Sequence, residues 1–130
     1  MIVVHENEAE ADRFEAPHKR VIRHLAAPWN IGTKNVWVGT SSVEPGSSSN
    51  EHSHVDQEEI FYCVSGSGKI RVDGEECRVE AGDLVYAPPG SRHQLVNDGT
   101  ETFKLLAVVS PPFIPEKFKA DHAAEKRTQR

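Results

Sequence analysis

Three histidines and one glutamate carry the chemistry legible in this chain. His52-Ser53-His54 places two imidazoles two residues apart. In an extended strand, residues two apart share a face, with their Cα atoms about 6.6–6.8 Å from each other. The two rings can then converge on one ion, although a hydrogen-bonded histidine pair explains the same spacing. Val55-Asp56-Gln57-Glu58 can reverse the chain and return Glu59 beside the histidines at the start of an apolar strand. A carboxylate there is costly to bury unpaired, and a cation would remove that cost. Glu58 competes with Glu59. Strand alternation turns Ile60, Tyr62 and Val64 inward with Glu58, or Phe61 and Cys63 inward with Glu59, and both faces are apolar. His93, between the rigid Pro88-Pro89-Gly90 turn and Leu95-Val96, is the fourth candidate. Three neutral imidazoles and a carboxylate suit Mn, Fe, Co, Ni or Zn, and no thiolate draws the set toward a softer metal. Cys63 would lie about 13 Å along the strand from Glu59, out of reach.

These residues need strands to hold them. Pro45-Gly46, Gly66-Ser67-Gly68, Asp73-Gly74, Ala81-Gly82-Asp83, Pro88-Pro89-Gly90 and Asn97-Asp98-Gly99 mark turns. Between them lie β-branched and aromatic runs: Val36–Val38, Ile60–Val64, Ile70–Val72, Leu84–Tyr86 and Phe103–Val109. Short strands at this spacing predict an antiparallel sandwich or barrel, and no segment of helical period is long enough for a crossover helix. Asp73-Gly74 predicts a two-residue hairpin. It pairs Val72 with Glu75, Arg71 with Glu76 and Ile70 with Cys77, and turns Ile70, Val72, Cys77 and Val79 to the core. Arg71 opposite Glu76 is a favourable cross-strand pair, and Lys69 opposite Arg78 an unfavourable one. Residues 1–18 read as a charged N-terminal extension, 19–110 as the barrel and 111–130 as a C-terminal tail. In that tail Pro115 suits the first turn of a short helix, with Phe118 and His122 on one face. It reads as a surface helix or a frayed end. His5, His18, His24 and His122 receive no role.

The whole set resembles the cupin superfamily. That family's first motif runs glycine, five residues, H-x-H, three or four residues, glutamate, six residues, glycine. Here it is Gly46, His52, His54, Glu59, Gly66. The second runs glycine, five residues, P-x-G, two residues, histidine, three residues, asparagine, and here it is Gly82, Pro88, Gly90, His93, Asn97. Fifteen residues separate Gly66 from Gly82. The match spans about residues 35–109 and favours Glu59 over Glu58, since only Glu59 leaves six residues before Gly66. The resemblance implies an all-β fold, a double-stranded β-helix or cupin jelly-roll barrel. It also implies one divalent transition metal per chain, held by His52, His54, Glu59 and His93. Thiol dioxygenases of the superfamily lack the ligand glutamate, which sets that branch aside.

The implied function is a metalloenzyme acting on a small polar or carboxylate ligand by dioxygenase, decarboxylase, isomerase or lyase chemistry. The other reading is a non-catalytic binding or sensing module with a structural metal. No catalytic residue beyond the metal set is assigned. Phe61, Trp37 and Phe103 are expected to line the pocket, with Tyr86 as a further candidate. The apolar side of the Glu59 strand that faces away from the metal, Ile60, Tyr62 and Val64, calls for a cover. The N-terminal segment or a second chain would supply it, and a homodimer is expected.

Composition sets the remaining bounds. The chain has 130 residues, enough for one domain. Fifteen basic against twenty acidic residues give a net charge of −5, with no basic stripe, so no nucleic-acid footprint is expected. The start, Met1-Ile2-Val3-Val4-His5-Glu6, lacks the basic flank and apolar core of a signal peptide. No run approaches the ~20 apolar residues of a membrane helix. Two cysteines make no disulfide framework. A cytoplasmic protein is expected.

Overall fold

Turn residues at short intervals divide the chain into eleven strands, one 3₁₀ turn (Glu6–Glu8) and one short α-helix among the residues that the computed structural model describes, 1–129. The strands are β1 (Ala11–Phe14), β2 (Arg20–Ala26), β3 (Trp37–Val43), β4 (His52–Ser53), β5 (Glu58–Ser65), β6 (Ser67–Val72), β7 (Glu75–Glu80), β8 (Leu84–Ala87), β9 (Arg92–Val96), β10 (Phe103–Ser110) and β11 (Arg127–Gln129). Helix α1 spans Pro115–Asp121. One sheet has seven strands in the order β11-β1-β2-β3-β10-β5-β8, the other four in the order β4-β9-β6-β7. Adjacent strands are antiparallel, and the two sheets enclose one core, giving the all-β jelly-roll barrel. No helix among the described residues is long and apolar enough to cross a membrane.

Alternation makes the core. In β10 Phe103, Leu105, Ala107 and Val109 are buried while the residues between them are half-exposed. In β5 Glu59, Phe61 and Cys63 point inward, whereas Glu58, Tyr62 and Val64 are exposed. Across the barrel Ile70 of β6 and Leu95 of β9 complete the layer.

The Asp73-Gly74 hairpin has the expected register, Val72 opposite Glu75 and Ile70 opposite Cys77. Both turn residues have positive φ, 50° and 84°, as this tight turn requires. Asp98 relieves the Lys69–Arg78 opposition: its carboxylate lies 2.8 Å from Arg78 Nη1 and 3.8 Å from Lys69 Nζ. Cys77 departs from expectation and is exposed. Strand β7 is the edge of its sheet, and only Val79 along it is buried. An inward-pointing side chain on an edge strand that overhangs the core finds nothing above it.

The two chain ends also behave differently from their sequence reading. The charged N-terminal stretch contributes β1, which pairs with β2 on one side and with β11 from the opposite end of the chain on the other. The tail helix is not a surface element: Pro115 begins it as expected, but Phe118 and His122 are buried.

Gly66 links β5 to β6 with a φ of 75°, and a Cβ there would collide with the carbonyl oxygen of Thr102. Gly66→Ala therefore combines left-handed backbone strain with a backbone clash. It is expected to cost about 3 kcal/mol or more. Thermal unfolding checks this, and a variant melting within a degree or two of the parent would contradict it.

Candidate metal centre

The four sequence-identified residues come from both sheets and meet inside the barrel. His52 and His93 are directly opposed across the β4–β9 pair. His54 lies just beyond β4, where its carbonyl accepts a hydrogen bond from the Gly90 amide at 2.8 Å and so ties the histidine loop to the Pro88–Gly90 turn. Glu59 approaches from the other sheet as the second residue of β5. One donor atom from each of the four lies within 4.8 Å of the others. Glu59 Oε1 is 3.2 Å from His93 Nε2 and 3.5 Å from His54 Nε2. The His52 ring stands 4.5 Å from that of His93 and 4.8 Å from that of His54.

The neighbours of the set fix which nitrogens face inward. His52 Nδ1 is 3.1 Å from the Asn50 carbonyl oxygen, which accepts its proton and leaves Nε2 with the lone pair. His54 Nδ1 faces Asp121 Oδ2 at 3.3 Å, again leaving Nε2 toward Glu59. A carboxylate or carbonyl behind a ligating imidazole is the usual device for orienting it. Tyr86 Oη donates to Glu58 at 2.9 Å on the outer surface, so the second glutamate is engaged elsewhere.

Burial and charge are in tension here. His54, Glu59 and His93 are buried, yet Nε2 of His54, Nε2 of His93 and Oε1 of Glu59 have no hydrogen-bond partner of good geometry. Burial disfavours charge on Glu59, but the His54 and His93 rings beside it outweigh that and hold its carboxyl at about 2. Burial also pulls His54 down, and the Asp121 and Glu59 carboxylates override it, raising the ring to about 9. Burial, and then the neighbouring His93, pushes His52 down to about 3. Orphaned buried donors and acceptors aimed at one point demand an occupant. Three imidazole nitrogens and one carboxylate oxygen fit a divalent transition ion.

A cavity of about 40 Å³ adjoins the cluster. His52, Glu59, His93, Phe61 and Trp37 line it together with Arg20, Phe113, Phe118 and His122. Of the pocket residues expected from sequence, Phe61 and Trp37 are therefore at the cavity. Phe103 and Tyr86 are not: Phe103 is fully buried with its ring over Gly68, and Tyr86 sits on the outer face. Trp37 is fixed from behind. Its Nε1 donates to His24 Nδ1 at 3.1 Å, and His24 Nε2 donates to Asp12 Oδ2 at 2.7 Å.

Sequence reasoning missed Asp121, His122 and Arg20. His122 Nδ1 donates to the Phe118 carbonyl at 2.8 Å, which leaves Nε2 as the acceptor of a ring that lines the cavity. Burial lowers the pKa of this ring and keeps it neutral. The one signal for this group was the shared helical face of Phe118 and His122; nothing local shows that this face turns into the barrel.

Known proteins bear on this geometry. A family model described as "Cupin domain" matches residues 39–109. The tetracenomycin polyketide synthase protein TcmJ of Streptomyces glaucescens is 32% identical over 89 residues, 68% of this chain and 60% of that protein. The chain thus spans three-fifths of that relative's length. An oxalate-binding protein of Thermotoga maritima is 34% identical over 86 residues, 66% of this chain and 71% of the relative. Among solved structures, a Thermotoga maritima protein described as a predicted oxalate decarboxylase superposes with a TM-score of 0.74 at 24% identity, covering 84% of this chain and 98% of the other. That likeness carries the fold.

Proposed function

The chain belongs to the cupin family, and on that premise we propose that it is a metal-dependent enzyme acting on a small polar or carboxylate substrate beside His52, His54, Glu59 and His93. One observation carries the reading: donor atoms of His52, His54, Glu59 and His93 converge from two sheets, those of His54, Glu59 and His93 are buried without hydrogen-bond partners, and His52, Glu59 and His93 border a cavity. A divalent ion there would supply Lewis-acid polarisation of a chelating oxygen ligand. The chain's own residues do the rest. Asn50 and Asp121 orient His52 and His54, and Phe61, Trp37, Phe113 and Phe118 keep water from the reacting atoms. His122 offers Nε2 to accept or return a proton. A relative that binds oxalate makes small carboxylates the first substrates to test.

The test is to reconstitute the protein separately with Mn, Fe, Co, Ni and Zn, then assay oxalate and a panel of small hydroxy- and keto-acids. Turnover with at least one metal, lost in His93→Ala, is the expected result. A second reading is favoured by the small cavity closed off by the tail residues Phe113, Phe118 and His122: a protein that binds a small ligand at the metal without transforming it. Ligand binding without turnover under any metal would select it.

The outer face of β5 and β8 supports a homodimer. Tyr62, Val64, Leu84 and Tyr86 are between 42% and 59% exposed and adjoin across the β5–β8 pairing. The N-terminal Met1–Val4 segment does not cover them, being itself exposed. An apolar patch of this kind marks a contact surface. Sedimentation of the parent at micromolar concentration should give a dimer, and Tyr62→Glu with Leu84→Glu a monomer. A parent that is monomeric would contradict this.

A further inference from the structure

Arg20 is almost wholly buried, with its side chain 1% exposed, and it lines the same cavity as His52, Glu59 and His93. Its guanidinium grips the Glu125 carboxylate with both arms, Nη1 to Oε1 at 2.6 Å and Nη2 to Oε2 at 3.1 Å. Nη1 also donates to the His18 carbonyl at 2.9 Å, Nη2 donates to Asn50 Oδ1 at 3.1 Å, and the Phe14 ring stacks 4.1 Å from Cζ. The fork is thus held from three sides, and its fourth side receives a carboxylate.

A buried ion pair is a poor way to gain stability, because desolvation offsets most of the attraction. A pre-oriented, desolvated arginine fork is, in contrast, well made for recognising a carboxylate in two-point geometry. The carboxylate now in the fork belongs to the segment that closes the cavity. That segment supplies Phe118 and His122 to the wall, Asp121 to His54, and Glu125 to Arg20. With it in place the cavity has room for a few waters and no more. A ligand of oxalate's size needs more room than this, and a shift of the segment that made the room would also empty the fork. The start of the segment is less tied than its end: α1 has seven residues and no side-chain cap at its start, whereas Asn50 Nδ2 holds the Asp121 carbonyl at 3.2 Å and β11 pairs with β1.

We propose that Arg20 is the residue that binds the carboxylate of the ligand, and that Glu125 is its internal stand-in, displaced when the ligand arrives. This rests on the proposed function, since it deepens the same site: the ligand bridges the ion-binding cluster and Arg20. Asn50 joins the two halves, because its backbone carbonyl orients His52 and its side chain steadies Arg20.

The experiment uses metal-loaded protein, with oxalate as the probe and oxamide as its neutral counterpart. Removing the competing carboxylate in Glu125→Gln should tighten oxalate binding about tenfold by calorimetry, because the competent open fork is no longer self-occupied. Oxamide binding should not change. Arg20→Gln added to Glu125→Gln should abolish the gain. Should Arg20→Gln fail to fold, the parent protein decides alone: amide hydrogen exchange across residues 113–127 should accelerate when oxalate is bound. Oxalate that binds without accelerating exchange there, or no more tightly to Glu125→Gln than to the parent, overturns this inference and leaves the proposed function standing. Loaded protein that in neither form binds oxalate or any acid of the hydroxy- and keto-acid panel overturns both.

Discussion

Metal-free protein titrated with Mn²⁺ at pH 7 should release about one proton for each ion bound. His54 is the source. With Asp121 on one side and Glu59 on the other, it stays protonated up to about pH 9 without an ion, while Glu59 is already ionised and His52 already neutral. An ion can take His54 Nε2 only by displacing that proton. One displaced proton makes the apparent affinity rise about tenfold per pH unit below 9 and flatten above it. Calorimetry in buffers of different ionisation enthalpy measures the proton count, and chelator competition measures the slope. Asp121→Asn removes one of the two carboxylates and should move the flattening point down. An affinity independent of pH between 7 and 9 would contradict the assignment. The same shift has a stability counterpart in the metal-free protein. The raised His54 value contributes stability that is full below about 6.5 and lost as the pH rises through about 9. The depressed Glu59 value works oppositely, present above about 4.5 and lost as the pH falls toward 2.

Glu59→Gln is the second variant with a large expected effect. It preserves shape but removes the only anionic donor of the four. Loss of a residue that merely supports a metal ligand typically costs 10–100-fold in affinity, so loss of the charged ligand itself should cost more than about 100-fold. The variant also frees His54 from one of the two carboxylates that raise it, so its metal-free proton should leave at lower pH. The exposed His5→Asn serves as the comparison and should retain parental affinity. Equal metal affinity in Glu59→Gln and the parent would show that Glu59 is not a ligand.

The reach of sequence reasoning follows the range of the interactions. The convergence of the candidate ligands was legible because fixed spacing and strand period place His52, His54 and Glu59 together within eight consecutive residues. The Asp73-Gly74 hairpin was legible because its turn chemistry fixes a register. Cys77 was misread because alternation says which way a side chain points, not whether anything covers it at a sheet edge. The ordinary histidine value, about 6.5, is all that His54 alone would suggest for its proton; Asp121 helps to raise it, and it lies 67 positions beyond His54. The β1–β11 pairing and the Arg20–Glu125 clamp join the two ends of the chain. Neither leaves a local period, since each partner on its own reads as a charged surface residue. Phe103 and Tyr86 lie on strands that flank the site, but their registers send one into the core away from the cavity and the other outward.

The most direct test of the metal centre is elemental analysis of protein reconstituted with each of Mn, Fe, Co, Ni and Zn at pH 8 and then freed of unbound ion by desalting. The geometry of His52, His54, Glu59 and His93 predicts about one retained ion per chain for at least one of these metals, and none in the His52→Ala/His93→Ala double variant. Parent protein that retains no ion of any of the five, or a double variant that retains as much as the parent, would contradict it.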